Sequence, residues 1–365
     1  MMQRYRYHIL VFLLLLLAGL WFIPDREKGE PVENFEAFFR VFEEHYALAE
    51  VKQVDWNREY DYYSRIVTDS TSDDELFAIF RELLARLDDK HCYIYRFNEI
   101  YFSGFGLPSL NYLELLSFDF RVPADDFSLD VVEDHYLVDY EKSLTVMSLL
   151  PPVGIRRVFT TGWLRDSLAY IHMTEMSPKT QAVHQAIGSF IENYQDANGF
   201  IVDLRDNIGG YSLPVKALAG FFTDRKRLYA ISRQRAPGGI HSFTEPDYWE
   251  IHPQPGSPYA HQPVALLVNE NTQSAAELFT LMMKTIPTVK VFGDTTSGVF
   301  ADTRVGRLPN GWEYRLSVRK TNDWQDRSYE GIGIFPDTTV VCTAADLERG
   351  VDPVMENAIH YLLNE

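Results

Sequence analysis

The chain has 365 residues, 46% of them hydrophobic, enough to bury one large core or two modest ones. Its 52 acidic against 34 basic residues give a formal charge of -18, which excludes nucleic acid and anionic lipid surfaces as favoured partners. Two cysteines, Cys92 and Cys342, are too few for a disulfide framework and lack the paired spacing of a zinc site, while a single bridge between them stays open.

At the N-terminus, Arg4 and Arg6 precede an unbroken apolar run over residues 9–23, stopped by Pro24 and a charged stretch. This is the layout of a secretory signal or of an uncleaved anchor with its arginines inside. Either reading exports the domain that follows from about residue 31, to the periplasm or cell envelope. Residues 31–95 then carry apolar residues at helical spacing, as in Phe35, Phe38, Phe39, Phe42 and Leu76, Ile79, Phe80, Leu83, Leu84, Leu87. They predict a small helical N-terminal subdomain, whose last helix opens on a Ser72/Glu75 capping box and ends near Leu87. Residues 96–165, with aromatic residues, acidic clusters and the Pro151-Pro152 pair, predict an irregular or strand-rich insertion.

From residue 166 to 365 strands alternate with helices. Continuous apolar runs at 200–204 and 264–268 predict strands buried on both faces. Helical patterns cover residues 180–194, 214–222 and 275–284, so the fold class is α/β with covered sheet faces. Residues 236–259, rich in Pro, Gly and His, predict a long surface loop.

Three stretches carry candidate chemistry. Val268-Asn269-Glu270-Asn271-Thr272-Gln273-Ser274-Ala275-Ala276-Glu277-Leu278 runs from a buried strand through a polar turn into a helix that begins at Ser274. A hydroxyl there faces unpaired N–H groups and the helix dipole, which favour developing negative charge. The same position also suits a plain helix cap. Asp203-Leu204-Arg205-Asp206-Asn207-Ile208-Gly209-Gly210 follows a strand with paired glycines that let backbone N–H groups approach a ligand, or that form an ordinary turn. Leu87-Asp88-Asp89-Lys90-His91 sets a histidine just past a helix end, where a general base can project into a cleft.

In their order, Leu-x-Asp-x-His, Asp-Leu-Arg-x-Asn-x-Gly-Gly, Ser-Ala-x-Glu and Glu330-Gly331-Ile332-Gly333-Ile334-Phe335-Pro336-Asp337, these motifs resemble the tail-specific, or C-terminal-processing, serine peptidases. One branch of that family uses a lysine in a Thr-x-Gly-Lys-Gly segment. Here that segment is Thr296-Ser297-Gly298-Val299-Phe300, so valine replaces the lysine and the resemblance is to the tricorn-like branch with a histidine base. The resemblance implies a crotonase/ClpP-like ββα core. It also implies Ser274 as nucleophile, His91 as base and Glu330 as the acid that supports it. Backbone N–H groups of Gly210 and Ala275 are implied as the oxyanion hole, and Gly209, Ser297 and Gly298 as substrate contacts. Lys90 stands where the tricorn core has a serine, which leaves open how Glu330 reaches His91. Glu277 and Arg205 belong to the motifs with bracing roles. No cofactor or metal is implied, and no functional PDZ domain is expected in residues 96–165. The expected partner is a protein or peptide substrate, with membrane attachment through residues 9–23 where that segment is an uncleaved anchor rather than a signal, and no reading of oligomeric state. A catalytically silent binding or interaction protein on the same scaffold is the alternative.

Overall fold

The computed structural model describes residues 29–111, 114, 126–138, 147–148, 156–157, 159–176, 180–238, 241–255 and 259–364. The apolar run at residues 9–23, and part of the segment in which no PDZ domain is expected, lie outside them. In chain order come α1 (Pro31–His45), α2 (Trp56–Tyr63), α3 (Asp73–Leu87), β1 (Tyr93–Arg96), β2 (Glu99–Phe102), β3 (Leu110–Asn111) and α4 (Leu129–His135). Next are β4 (Met147–Ser148), β5 (Arg156–Arg157), β6 (Phe159–Leu164), β7 (Leu168–Met173), α5 (Thr180–Asn193), β8 (Gly199–Asp203) and α6 (Ser212–Phe221). They are followed by β9 (Arg227–Gln234), β10 (Asp247–Ile251), β11 (Val264–Val268), α7 (Ala275–Lys284), β12 (Val289–Gly293), β13 (Thr303–Arg307), β14 (Glu313–Ser317) and β15 (Arg319–Asp323). β16 (Thr338–Thr339), α8 (Ala344–Glu348) and α9 (Pro353–Asn364) close the chain.

The main sheet has the order β16-β12-β11-β8-β7-β6. Its strands from β7 to β12 run parallel with a helix in each connection, β16 adds parallel to β12 after β13, β14 and β15, and β6 adds antiparallel as a hairpin with β7. The apolar runs behave as strands covered on both faces: Phe200, Val202, Leu266 and Val268 join the core under α5, α6 and α7. Ile201, Ala265 and Leu267 point the other way, into a core with Val354, Met355 and Ala358 of α9. Strand alternation of period two therefore feeds two cores at once.

The helical lead-in is capped as its sequence predicts. Ser72 N donates to Glu75 Oε2 at 2.8 Å and Glu75 N to Ser72 Oγ at 3.3 Å. α3 ends where Asp88 turns to φ 46°, a left-handed stop that redirects the chain toward His91. The lead-in does not stand alone. Phe38 stacks on Phe80 at 4.2 Å, and Phe77 packs edge-on against Trp312 at 5.4 Å, beside β14. β1 pairs with β14 in the five-stranded sheet β13-β14-β1-β2-β3, so the N-terminal helices share one core with strands from the C-terminal half.

Two sequence expectations change. Residues 236–259 are not a loop throughout, because β10 pairs with β9 from Tyr248 to Ile231, bulging between Trp249 and Glu250. Its exposed Asp247 and Tyr248 hide the strand in the sequence, and the bulge breaks the period. β6 also belongs to the core sheet although it falls before residue 166, since its buried Thr160 and Thr161 interrupt the apolar run. Cys92 and Cys342 are both buried and unbridged.

Candidate active site

Two crossover turns at the C-terminal ends of neighbouring parallel strands build the floor of the site, where ligands of open α/β sheets bind. The turn after β8 and the turn after β11 are zippered together. Asp206 Oδ1 accepts from Asn269 Nδ2 at 3.1 Å and Asn271 Nδ2 at 2.8 Å, Thr272 Oγ1 donates to Leu204 O at 2.9 Å, and Gln273 N to Asn207 O at 2.8 Å. These bonds fix the entry to α7.

Ser274 sits at that entry with φ 54° and ψ -118°, a conformation that a side chain rarely adopts and that costs about 1–3 kcal/mol. A capping-box arrangement with Glu277 is present, with no direct cap hydrogen bond to the Ser274 hydroxyl. The helix start is held by backbone and by Glu277 instead: Glu277 N donates to Ser274 O at 2.9 Å, and Ser274 N to Glu277 Oε2 at 3.0 Å. Ser274 lines the cavity at this helix start.

Gly209 lies flush against this elbow. A Cβ added to it would stand 2.7 Å from Ser274 Cβ and 2.7 Å from Gln273 O, and its φ is +88°. Gly210, at φ +136°, is pressed on Met176, whose carbonyl oxygen would be 2.3 Å from an added Cβ. Gly209 N is occupied, donating to Asn207 Oδ1 at 2.9 Å. Gly210 N and Ala275 N donate to no acceptor among the described residues, as a pair of oxyanion donors requires.

His91 and Ser274 line one cavity of about 910 Å³, with Lys90, Glu175, Gly210 and Arg315 also on its wall. The histidine is placed by its main chain. His91 N donates to Asp89 Oδ1 at 2.9 Å, and Arg315 Nε donates to His91 O at 2.6 Å. Burial lowers the imidazole to about 4, opposed by the Asp89 carboxylate and aided by the Arg315 guanidinium. The ring is therefore neutral at pH 7, as a base must be. Its Nδ1 is buried and has no hydrogen-bond partner, and no bond joins the ring to Ser274 among the described residues.

Glu330 is buried and accepts from Phe300 N at 2.9 Å. Burial and then the neighbouring Asp89 carboxylate hold its acid well above the usual range. Asp89 also accepts from Ser317 Oγ at 2.7 Å and Cys92 Sγ at 3.3 Å. The acid that bonds the His91 main chain and whose charge acts on its ring is Asp89, with Glu330 beside Asp89. Its sequence signal was its place in the Leu-x-Asp-x-His motif. Arg315 had none, since its contact with His91 spans 224 positions.

Ser297 and Gly298 are tied into the frame of the site. Lys90 Nζ donates to Ser297 Oγ at 2.8 Å, and Gly298 N donates to Glu277 Oε1 at 2.7 Å. The same carboxylate accepts from Thr296 Oγ1 at 2.6 Å and Val299 N at 2.8 Å, so it ties the 296–299 loop to the Ser274 backbone. Burial raises Glu277 to about 7 against the pull of those hydrogen bonds. Glu277→Gln would turn one acceptor oxygen into a donor facing buried donors. Its expected cost is about 3 kcal/mol in urea unfolding together with a fall in kcat; unchanged stability and rate would show that the brace is dispensable.

Two sequence-family models match the chain: Peptidase family S41 over residues 167–340, and the Tricorn protease C1 domain over residues 28–85. Carboxyl-terminal-processing peptidase 2, chloroplastic, of Arabidopsis thaliana is 26% identical over 171 residues, 47% of this chain and 31% of that protein. The chain spans about a third of the length of the curated relatives it matches. A solved structure of a peptidase candidate from Parabacteroides merdae aligns with TM-score 0.73 and 26% identity, over 92% of this chain and 97% of that one. The tricorn protease structure aligns with TM-score 0.55 and 14% identity, over 92% of this chain and 37% of that one, a likeness of fold.

Proposed function

Because this chain belongs to peptidase family S41, we propose that it is a serine peptidase that hydrolyses protein or peptide substrates through an acyl-enzyme on Ser274, with His91 as general base. The observation that carries this reading is the Ser274 hydroxyl. It makes no direct cap hydrogen bond, belongs to a strained elbow near the N–H groups of Gly210 and Ala275, which donate to no acceptor among the described residues, and lines the cavity that His91 also lines.

The chemistry runs as follows in this reading. Ser274 Oγ attacks the scissile carbonyl carbon while its proton passes to the neutral imidazole, and the oxyanion is received by Gly210 N and Ala275 N. As the C–N bond breaks, the imidazolium returns the proton to the leaving amine. Water then repeats the sequence on the ester and frees Ser274. The imidazolium is supported by Asp89 and, beside it, Glu330. The hydrogen bond between Ser274 and His91 forms with substrate in place, as catalytic contacts commonly tighten on binding.

We place the catalytic domain outside the cytoplasm, supported by Arg4 and Arg6 before the apolar run at residues 9–23. Among the described residues no helix is long and apolar enough to cross a membrane.

The test is covalent labelling of the full chain by a fluorophosphonate across pH. A base that stays neutral down to about 4 predicts a labelling rate flat from pH 8 to 5 that falls through about 4. His91→Ala is expected to abolish that limb and most of the rate. A half-maximum near 6.5 would mean that burial does not lower the His91 imidazole, and His91→Ala labelling as fast as the parent would remove His91 from the mechanism.

A further inference from the structure

Among the described residues of the cavity wall, Glu175 is the one charged side chain that is both deeply buried, at 5% exposure, and left with a buried carboxylate oxygen that meets no hydrogen-bond donor. Buried carboxylates are normally paired, because an unpaired one loses its hydration without compensation. The cations on the same wall are engaged elsewhere. Lys90 donates to Ser297 Oγ, Arg315 donates to His91 O and lies 4.9 Å from the Tyr93 ring centroid, and Arg319 pairs with Asp247 and donates to Ser232 Oγ.

The place of Glu175 gives its unpaired charge a consequence. The segment that carries it is clasped to the glycine turn beside Ser274: Ile208 N donates to Thr174 O at 3.3 Å, Met176 N to Gly209 O at 2.7 Å, and Tyr211 N to Met176 O at 2.6 Å. Glu175 thus stands within one residue of the contact that shapes the turn bearing Gly210 N. A group recognised there belongs to the part of a peptide that flanks the bond being cut.

We propose that Glu175 is a specificity-determining residue that selects a cationic group of the substrate next to the scissile bond, an ammonium or guanidinium that completes its unpaired carboxylate. The inference rests on the peptidase reading of Ser274. A charge-assisted hydrogen bond in a desolvated cavity favours such a substrate over an uncharged isostere by roughly 10- to 100-fold. The net charge of -18 acts in the same direction at long range by drawing cationic peptides toward the chain.

The test uses the full chain and fluorogenic peptides that differ only in Lys, Arg, norleucine or Glu at positions flanking the cut, each with a free or an acetylated N-terminus. The expected result is a kcat/KM for Lys or Arg peptides roughly 10- to 100-fold above norleucine, a ratio that collapses toward unity in Glu175→Gln and inverts toward Glu peptides in Glu175→Lys. A preference that vanishes on acetylation assigns the cation to the substrate's amino terminus, and one that survives assigns it to the side chain. Equal rates for Lys and norleucine peptides, or a ratio kept in Glu175→Gln, overturn the proposal. Fluorescence anisotropy of the same peptides on Ser274→Ala reads the preference with hydrolysis removed. A chain that binds Lys peptides selectively through Glu175 without cutting any would sink the peptidase reading alone, and unselective binding would sink this one.

Discussion

Ser274→Ala in the full chain is expected to lower the rate of peptide hydrolysis by roughly four to six orders of magnitude and to eliminate fluorophosphonate labelling. The residue is not a packing element, since its hydroxyl makes no direct cap hydrogen bond and its main chain is held by Glu277. Circular dichroism and the unfolding midpoint should therefore stay close to the parent. His91→Ala should lose a comparable factor, and the double variant little more, because nucleophile and base act as one unit. Independent, multiplying losses would mean that His91 acts elsewhere. Full activity of Ser274→Ala would end the acyl-enzyme account and bring forward a binding protein on this scaffold.

Arg205→Leu is the second large effect, and it falls on stability. Arg205 is completely buried, with Nη2 at 2.7 Å from Asp203 Oδ2 and Nη1 at 2.8 Å from Asp352 Oδ2, while its guanidinium lies 4.3 Å from the Phe127 ring centroid. Removing it strands two buried carboxylates, a loss of about 4 kcal/mol in denaturant unfolding. Asp203→Asn with Asp352→Asn in the same background should restore much of that loss. Asn at 352 can still cap α9, whose Val354 N and Met355 N donate to Asp352 Oδ1 at 3.0 and 3.1 Å.

The pH dependence has a definite sign. Burial alone would raise Asp203, but Arg205 overrides it and holds the folded acid below its usual value. Asp203 therefore contributes stability that is present above the usual carboxylate range and lost as pH falls through the folded value. In Arg205→Leu that acid limb should disappear or reverse; an unchanged acid limb would mean that the pair contributes nothing to folding.

The sequence alone determined the elements whose signal is local. The capping box at Ser72 and Glu75, the stop at Leu87, the apolar runs that became β8 and β11, and the start of α7 at Ser274 are readable because periodicity and caps act within a few residues. The motif order also put Ser274, His91 and the glycine turn in one frame before any coordinates. Only the tertiary structure decided that Ser274 sits on a strained elbow, that Asp89 holds the His91 main chain, and that Gly298 N donates to Glu277. It likewise revealed Arg315 and Glu175, and the strand β10 inside an expected loop. The reason is physical. Burial, ion pairing and the direction of an N–H group depend on neighbours brought together from distant positions, such as Arg315 and His91, and a one-dimensional pattern carries no record of which neighbours those are.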